Sequence, residues 1–295
     1  MTTTGYNYNN APTSAPGNKA AVFENAVPRF AFSDVDKLLS TRPNAPLAGG
    51  PVGVVPFMFV AGEGAPAGMT NMTDQIHEVL WSTGQVNASF FTGAESSTTV
   101  LATGRNNGSG TRASILAETQ YGPFRSLVQF NATVQGTRTD AYPTAKLLAI
   151  SSFNNNGHSS NSGVRDVLTR PRQDLTYEGT PFDAVFCSYL TISDAVAATG
   201  YNQVTGAISG GEGAVPMTYN GVRYSEANVK SGAYTLWGYQ QLYVGTAPTT
   251  AETTFDTQLR ATVPANMGSA GIPITQMGVT RTGGDGGPVF PNEEN

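Results

Sequence analysis

Cysteine is nearly absent from this sequence. A single residue, Cys187, stands among 295, so no intrachain disulfide can form. Histidine is almost as rare, with only His77 and His158, and no Cys/His zinc cluster can be assembled. Charge is sparse as well. Asp, Glu, Lys and Arg make up 13% of the chain, about half the share usual in soluble domains. A net charge of -5, with no Lys/Arg run interleaved with aromatics, argues against a nucleic-acid partner. Long apolar runs are missing too. The longest, Val52 to Ala61, is interrupted by Pro56 and is too short to insert in a bilayer. Met1-Thr-Thr-Thr4 has neither the basic nor the apolar region of a signal peptide. Cys187 lies in the apolar run Ala184 to Leu190, which predicts a buried, inert thiol rather than a nucleophile.

What remains is rich in Thr, Ser, Asn, Gly and Ala, a composition common in secreted proteins. Residues 1–28 are polar and aperiodic and read as an arm. Arg29 to Asp34 predicts a first strand ending in a Ser-Asp pair, and Val52 to Val60 a strand buried on both faces. Thr73 caps a predicted helix whose apolar face is Ile76, Val79 and Leu80, stopped at Gly84. Val100 to Thr103 is strand-like, and a helix with Ile115 and Leu116 follows. Ser126 to Phe130 and Phe182 to Ile192 are further strand candidates, and Val164 to Leu168 is a short helix. Met217 to Tyr224 reads as a hairpin turning at Asn220-Gly221. Trp237 to Val244 reads as an aromatic strand, and Thr250 to Val263 as a last helix. The stretch 264–295 reads as a polar tail. Alternation of strands and helices predicts an α/β protein with a mixed sheet.

One constellation has a chemical purpose. Strand, then Arg105-Asn-Asn-Gly-Ser-Gly-Thr111, then helix, places unpaired N–H groups and partial positive charge at one point. Gly108 and Gly110 let backbone approach an oxyanion closely. Ser109 and Thr111 add hydroxyl donors, and Arg105 offers a planar fork for two oxygens. The same residues also read as a Gly-rich turn whose Ser caps the next helix, with Arg105 in solvent. The Gly-x-x-x-x-Gly-Lys spacing of a nucleotide loop is absent, and so is the nucleophile elbow, because Asn107 stands two residues before Ser109. No cofactor is expected.

Gly-Arg-x-x-Gly-Ser-Gly-Thr before a helix resembles the anion-binding loop of the phosphate-binding proteins of ABC importers. Ala31-Phe-Ser-Asp34, Val54-Val-Pro-Phe57, Asn71 to Gly84 with Phe91-Thr-Gly93, and Tyr219 to Tyr234 resemble other segments of that family, in the same order. The resemblance covers about residues 29 to 263. It also extends to uncharacterised secreted bacterial proteins built on this domain. It implies a two-lobed, type 2 periplasmic-binding-protein-like α/β fold, the first lobe being about 29–60 plus 237–263 and the second about 61–236. It implies an anion, phosphate above all, bound by Arg105, Ser109, Gly110 and Thr111. Asp34 would match the acidic ligand residue, with Ser33 beside it. Monohydrogen phosphate can donate a proton to such an acid, whereas sulfate has none to give. Asp34 reads equally as a turn residue at the strand end. The resemblance further implies an importer permease as partner and a periplasmic or secreted location.

On this resemblance the family's opening strand, Gly/Ser/Thr loop and helix are expected to be missing, through a late gene start, a fragment, or completion by another chain. An incomplete first lobe is therefore expected, with self-association through it or coverage by the 1–28 arm. The alternative function is a structural or surface-assembly protein that kept the fold without the ligand. Other candidates read as structural. His77 is expected at the surface or its boundary and His158 in a solvent loop, where Ser162 and Gly163 are weaker ligand candidates. Trp237, Tyr239 and Tyr243 are expected to fill one strand face. No Asp/Glu pair stands out as an acid/base couple.

Overall fold

The apolar run at Val52 is part of the longest strand, and the main sheet is organised around it. The computed structural model describes residues 29–40, 46–268 and 271–292; the stretch 1–28, expected as an arm, lies outside them. In chain order the strands are β1 (Phe30–Ser33), β2 (Leu47–Ala61), β3 (Asn71–Met72), β4 (Gln85–Asn87), β5 (Thr99–Ala102), β6 (Gln129–Gln135), β7 (Lys146–Asn154), β8 (Thr176–Tyr177), β9 (Thr180–Pro181), β10 (Ala184–Thr191), β11 (Val215–Pro216), β12 (Thr218–Tyr219), β13 (Trp237–Gly245), β14 (Ile272–Pro273), β15 (Val279–Arg281) and β16 (Val289–Pro291). The helices are α1 (Asp74–Thr83), α2 (Ser89–Thr92), α3 (Gly110–Glu118), α4 (Asn161–Leu168), α5 (Ile192–Thr199), α6 (Glu226–Lys230) and α7 (Thr250–Ala265). No described helix is long and apolar enough to cross a membrane.

The main sheet runs β1-β13-β2-β10-β5-β4, with β11 and β14 also on β2. Only β10 and β5 are parallel in it, so the predicted mixed α/β architecture is present. β2 belongs to two parts of this sheet. From Leu47 to Pro56 it pairs with β13; from Phe57 to Ala61 it pairs with β10. Pro56 has no N–H to donate, and the change of partner falls there, with Phe57 N donating to the Leu236 carbonyl (3.0 Å). Trp237, the first residue of β13, faces Pro56 at this crossing. Each of these partners has a counterpart on the opposite edge of β2: β14 at Val54 and Gly53 across from β13, and β11 at Ala61 and Val60 across from β10. Flanked on both edges, Phe57 to Ala61 is wholly buried, which accounts for a run without polar alternation.

The core is aromatic where the sheet meets α1. Thr73 caps α1, its hydroxyl accepting from Ile76 N (3.2 Å), and Gly84 ends it at φ 82°. The buried face is His77, Leu80 and Trp81, not Ile76, Val79 and Leu80, and Val79 is exposed. Positions i, i+3 and i+4 share one helix face, and the area of Trp81 decides which face turns inward. His77, expected at the surface or its boundary, is fully buried. It stacks on Trp81 (4.5 Å between centroids) and meets Phe59 and Tyr121.

Three further expectations change. The strand expected from Ser126 begins at Gln129, because Leu127 N and Val128 N donate elsewhere, to Asn155 Oδ1 and the Trp81 carbonyl. The Asn220-Gly221 turn is present, at φ 49° and 80°, but its hairpin is a single bridge, Tyr219 to Val222. β12 runs instead parallel to β3. The polar tail expected over 264–295 is structured in its described part: it supplies β14, and β15 pairs with β16. Its polar groups pair inside the fold, a fact that composition does not reveal. Trp237, Tyr239 and Tyr243 are buried as expected, and so is Cys187.

Neither ring nitrogen of His77 has a hydrogen-bond partner among the described residues, and burial pulls its pKa from 6.5 to about 3. The unfolded chain therefore takes up a proton that the folded chain refuses. His77's contribution to stability is complete above pH 6.5 and declines as pH falls toward 3. His77→Phe should flatten this part of the pH dependence, measured by urea denaturation across that range.

Candidate functional site

β5 delivers the chain into the loop that precedes α3. Along this loop lies the segment 156–160, bound on both sides of Arg105: His158 N donates to the Gly104 carbonyl (2.9 Å) and Asn106 N to the His158 carbonyl (3.0 Å). The predicted solvent loop around His158 is thus docked on the motif. Its imidazole is largely buried, edge-on to Phe153 at 5.0 Å, and desolvation lowers its pKa to about 4. Buried Gln129 closes the loop from below, donating to the Asn156 carbonyl (2.5 Å).

Ser109 is the N-cap of α3, its hydroxyl accepting from Arg112 N (3.4 Å). Ser109 N donates to the Asn106 carbonyl (3.1 Å), leaving Gly110 and Thr111 to supply the N–H groups of the opening turn, which have no acceptor within the helix. Ser109 and Thr111 are both buried. The chain brings Asp34 to this point. A Cβ on Gly110 would stand 2.0 Å from Asp34 Oδ1 and 2.6 Å from Oδ2, so a side chain at 110 would displace the carboxylate from this position. The Asp34 carbonyl is anchored on α3 by the Ser114 hydroxyl (3.0 Å). Ser33 is adjacent, but its hydroxyl is engaged locally, donating to the Val35 carbonyl (2.9 Å).

Arg105 is half-buried and reaches a second helix start. Its Nη1 donates to Asn161 Oδ1 (2.9 Å) and its Nη2 to the Ser159 carbonyl (3.1 Å). Asn161 opens α4, capped by Ser160. The guanidinium thus sits at the start of α4, while its own loop leads into α3. Burial pulls Arg105 below its ordinary range, while Tyr189, Asp34 and Asp194 act in the opposite direction. A second guanidinium, Arg112, is buried behind it. It donates to the Asn155 carbonyl (2.7 Å) and Oδ1 (2.5 Å) and reaches the Arg105 carbonyl at 3.5 Å. Among the described residues, neither Arg105 nor Arg112 has a carboxylate within 4.0 Å. The local excess of positive charge is set against the more distant carboxylates of Asp34 and Asp194.

The structure thus brings Asp34, Arg105, Ser109, Gly110 and Thr111 together. Ser162 lies apart, accepting from Arg138 Nη2 (2.6 Å), and Gly163 packs on the His158 ring. Arg112, Asn155 and Asn161 were not singled out from the sequence. Arg112 directly follows the motif, and its place in the first turn of α3 was the available signal. Nothing local marked Asn155, which meets Arg112 from 43 positions away.

No protein-family profile matches the chain, and no curated protein matches it. Solved structures do. The chain is similar to an ABC-type phosphate transport receptor from Vibrio cholerae at 11% identity, over 81% of this chain and 76% of that one, with a TM-score of 0.49. It is also similar to PstS from Borrelia burgdorferi at 13% identity, over 83% of this chain and 79% of that one, with a TM-score of 0.46.

Docking of the 156–160 segment can be tested by comparing its Gly157 with Gly163 of α4. A Cβ on Gly157 would meet the Arg105 carbonyl oxygen at 2.5 Å and the Gly104 carbonyl oxygen at 2.6 Å, both backbone atoms. One on Gly163 meets only the His158 side chain, at 2.9 Å. Gly157→Ala should cost about 1–3 kcal/mol through overpacking, and Gly163→Ala less. Urea denaturation of both variants measures the difference; equal costs would contradict the docked loop.

Proposed function

We propose that this chain is a solute-binding protein for a tetrahedral oxyanion, phosphate above all, taken up at the start of α3 between the two parts of the sheet that share β2. The observation that carries this reading is the approach of Asp34 to Gly110 beside an Arg105–Arg112 pair without acid partners. Helix N–H groups, two guanidiniums and the Ser109 and Thr111 side chains suit an anion with several oxygens. A carboxylate in the same place selects an anion that still carries a proton. Monohydrogen phosphate can hydrogen-bond to Asp34 through its own hydroxyl, whereas sulfate would set two negative charges face to face.

Binding rather than catalysis is supported by the state of the reactive side chains. His77 and His158 are held neutral by burial, and burial pushes the Cys187 thiol well above its ordinary range. None of the three lies in a nucleophile–base pair among the described residues. In this reading the protein works outside the cytoplasmic membrane and hands its ligand to an importer permease. A second reading, a structural protein that kept the fold, is favoured by apolar side chains around β1: Phe32, Leu38 and Phe255 are exposed, and such surface invites a partner.

Titration calorimetry with inorganic phosphate and with sulfate, at neutral pH, separates the two readings. The wild-type chain should take up phosphate and reject sulfate. Arg105→Met should weaken phosphate binding by about tenfold or more, the worth of a charge-assisted hydrogen bond. Asp34→Asn should narrow the preference for phosphate over sulfate. Absence of phosphate binding in a folded wild-type protein would overturn the anion reading in favour of the structural one.

A further inference from the structure

The stretch 279–291 plays no part in the proposed site, yet it contributes one half of the most deeply buried ion pair among the described residues. Arg281 Nη2 lies 2.6 Å from Glu118 Oε2, with the two side chains 3% and 1% exposed. The same guanidinium sits 4.0 Å over the Trp237 ring and donates to the Thr235 carbonyl (2.6 Å) and the Gly287 carbonyl (2.7 Å). Glu118 Oε1 accepts from Gly286 N (2.8 Å). Gly286 has φ 78°, and a Cβ there would meet the Ala117 carbonyl oxygen at 2.8 Å, so the turn can close on α3 only as glycine.

Four residues after Arg281, Asp285 faces the other way. Its Oδ1 accepts from Tyr239 N (2.8 Å) and its Oδ2 from Asp36 N (2.9 Å). Asp36 is two residues beyond Asp34. Glu118 is the last residue of the helix that Gly110 begins, and a hydrogen-bonded helix of this length moves as one body. The turn 281–287 therefore grips both halves of the candidate site. It holds the acid through Asp36 and the helix N-terminus through Glu118, with β13 as common backing.

We propose that this turn is a clasp, and that Arg281 and Asp285 are positioning residues that hold Asp34 against the start of α3. The role deepens the anion-binding reading and rests on it for its purpose, though the clasp itself is a property of the fold. A site of hydrogen bonds to one small anion tolerates little displacement of its donors, so a turn remote in sequence sets the affinity without touching the ligand.

The test uses the full chain with Asp285→Asn, which keeps one acceptor and turns a donor toward the other N–H, and Gln120→Ala. The second is milder, removing an exposed side chain that donates to the Gly286 carbonyl (2.8 Å). Amide hydrogen exchange by mass spectrometry is read over 30–36 and 109–113, alongside urea stability and titration with inorganic phosphate. Both segments should exchange faster in Asp285→Asn than its loss of global stability accounts for, and phosphate affinity should fall by about tenfold. Gln120→Ala should show the same pattern more weakly, and it alone decides the matter if Asp285→Asn does not fold. Unchanged exchange over both segments, or faster exchange spread evenly over the whole chain, overturns the clasp. A wild-type protein that takes up no phosphate, while the variants still loosen both segments together, supports the clasp and refutes the anion reading.

Discussion

Everything near the candidate site depends on one strand keeping two sets of partners. β2 must satisfy β13 along its first ten residues and β10 along its last five, and the switch requires a place where the ladder can change hands without stranding a buried donor. Pro56 provides it, because it has no N–H to strand. From that crossing the strands β13, β10 and β5 take their positions, and β5 in turn aims the loop that leads into α3. A polar substitution within Phe57 to Ala61 would act on the site only through this chain of supports.

The site itself is an imbalance held in place by packing. Arg105 and Arg112 are withdrawn from water without an acid beside them, an arrangement that costs free energy unless carbonyls and amides take up the donors. Asn155, Asn161, Ser159 and the Arg105 carbonyl do so. Neutral acceptors satisfy geometry but leave charge uncancelled. The carboxylates whose charge reaches Arg105 are those of Asp34 and Asp194.

Much of this was legible in the sequence because it is local. The helix after Arg105 to Thr111, the caps at Thr73 and Ser109, and the strands at Val52 and Trp237 follow from runs and punctuation within a dozen residues. The ordered resemblance joined Asp34 to the Arg105 loop, which no periodicity could have done. What was illegible depends on distant partners. His77 looks like a surface residue until Trp81 claims the inner face. Arg281 and Asp285 look like parts of a solvated tail until Glu118, Tyr239 and Asp36 meet them. The same Gly-rich composition serves a linker and a tight buried turn, and only the partners tell them apart.

The crossing at Pro56 also has a mechanical meaning. A β-ladder resists bending because a sharp bend lengthens its hydrogen bonds, but a residue that donates none has one fewer to lengthen. β2 thus has one fewer ladder bond to lengthen where its partners change, and Trp237 stands opposite that residue. At this crossing a change of angle between the two parts of the sheet would be opposed by the packing of the buried Trp237 ring more than by the ladder.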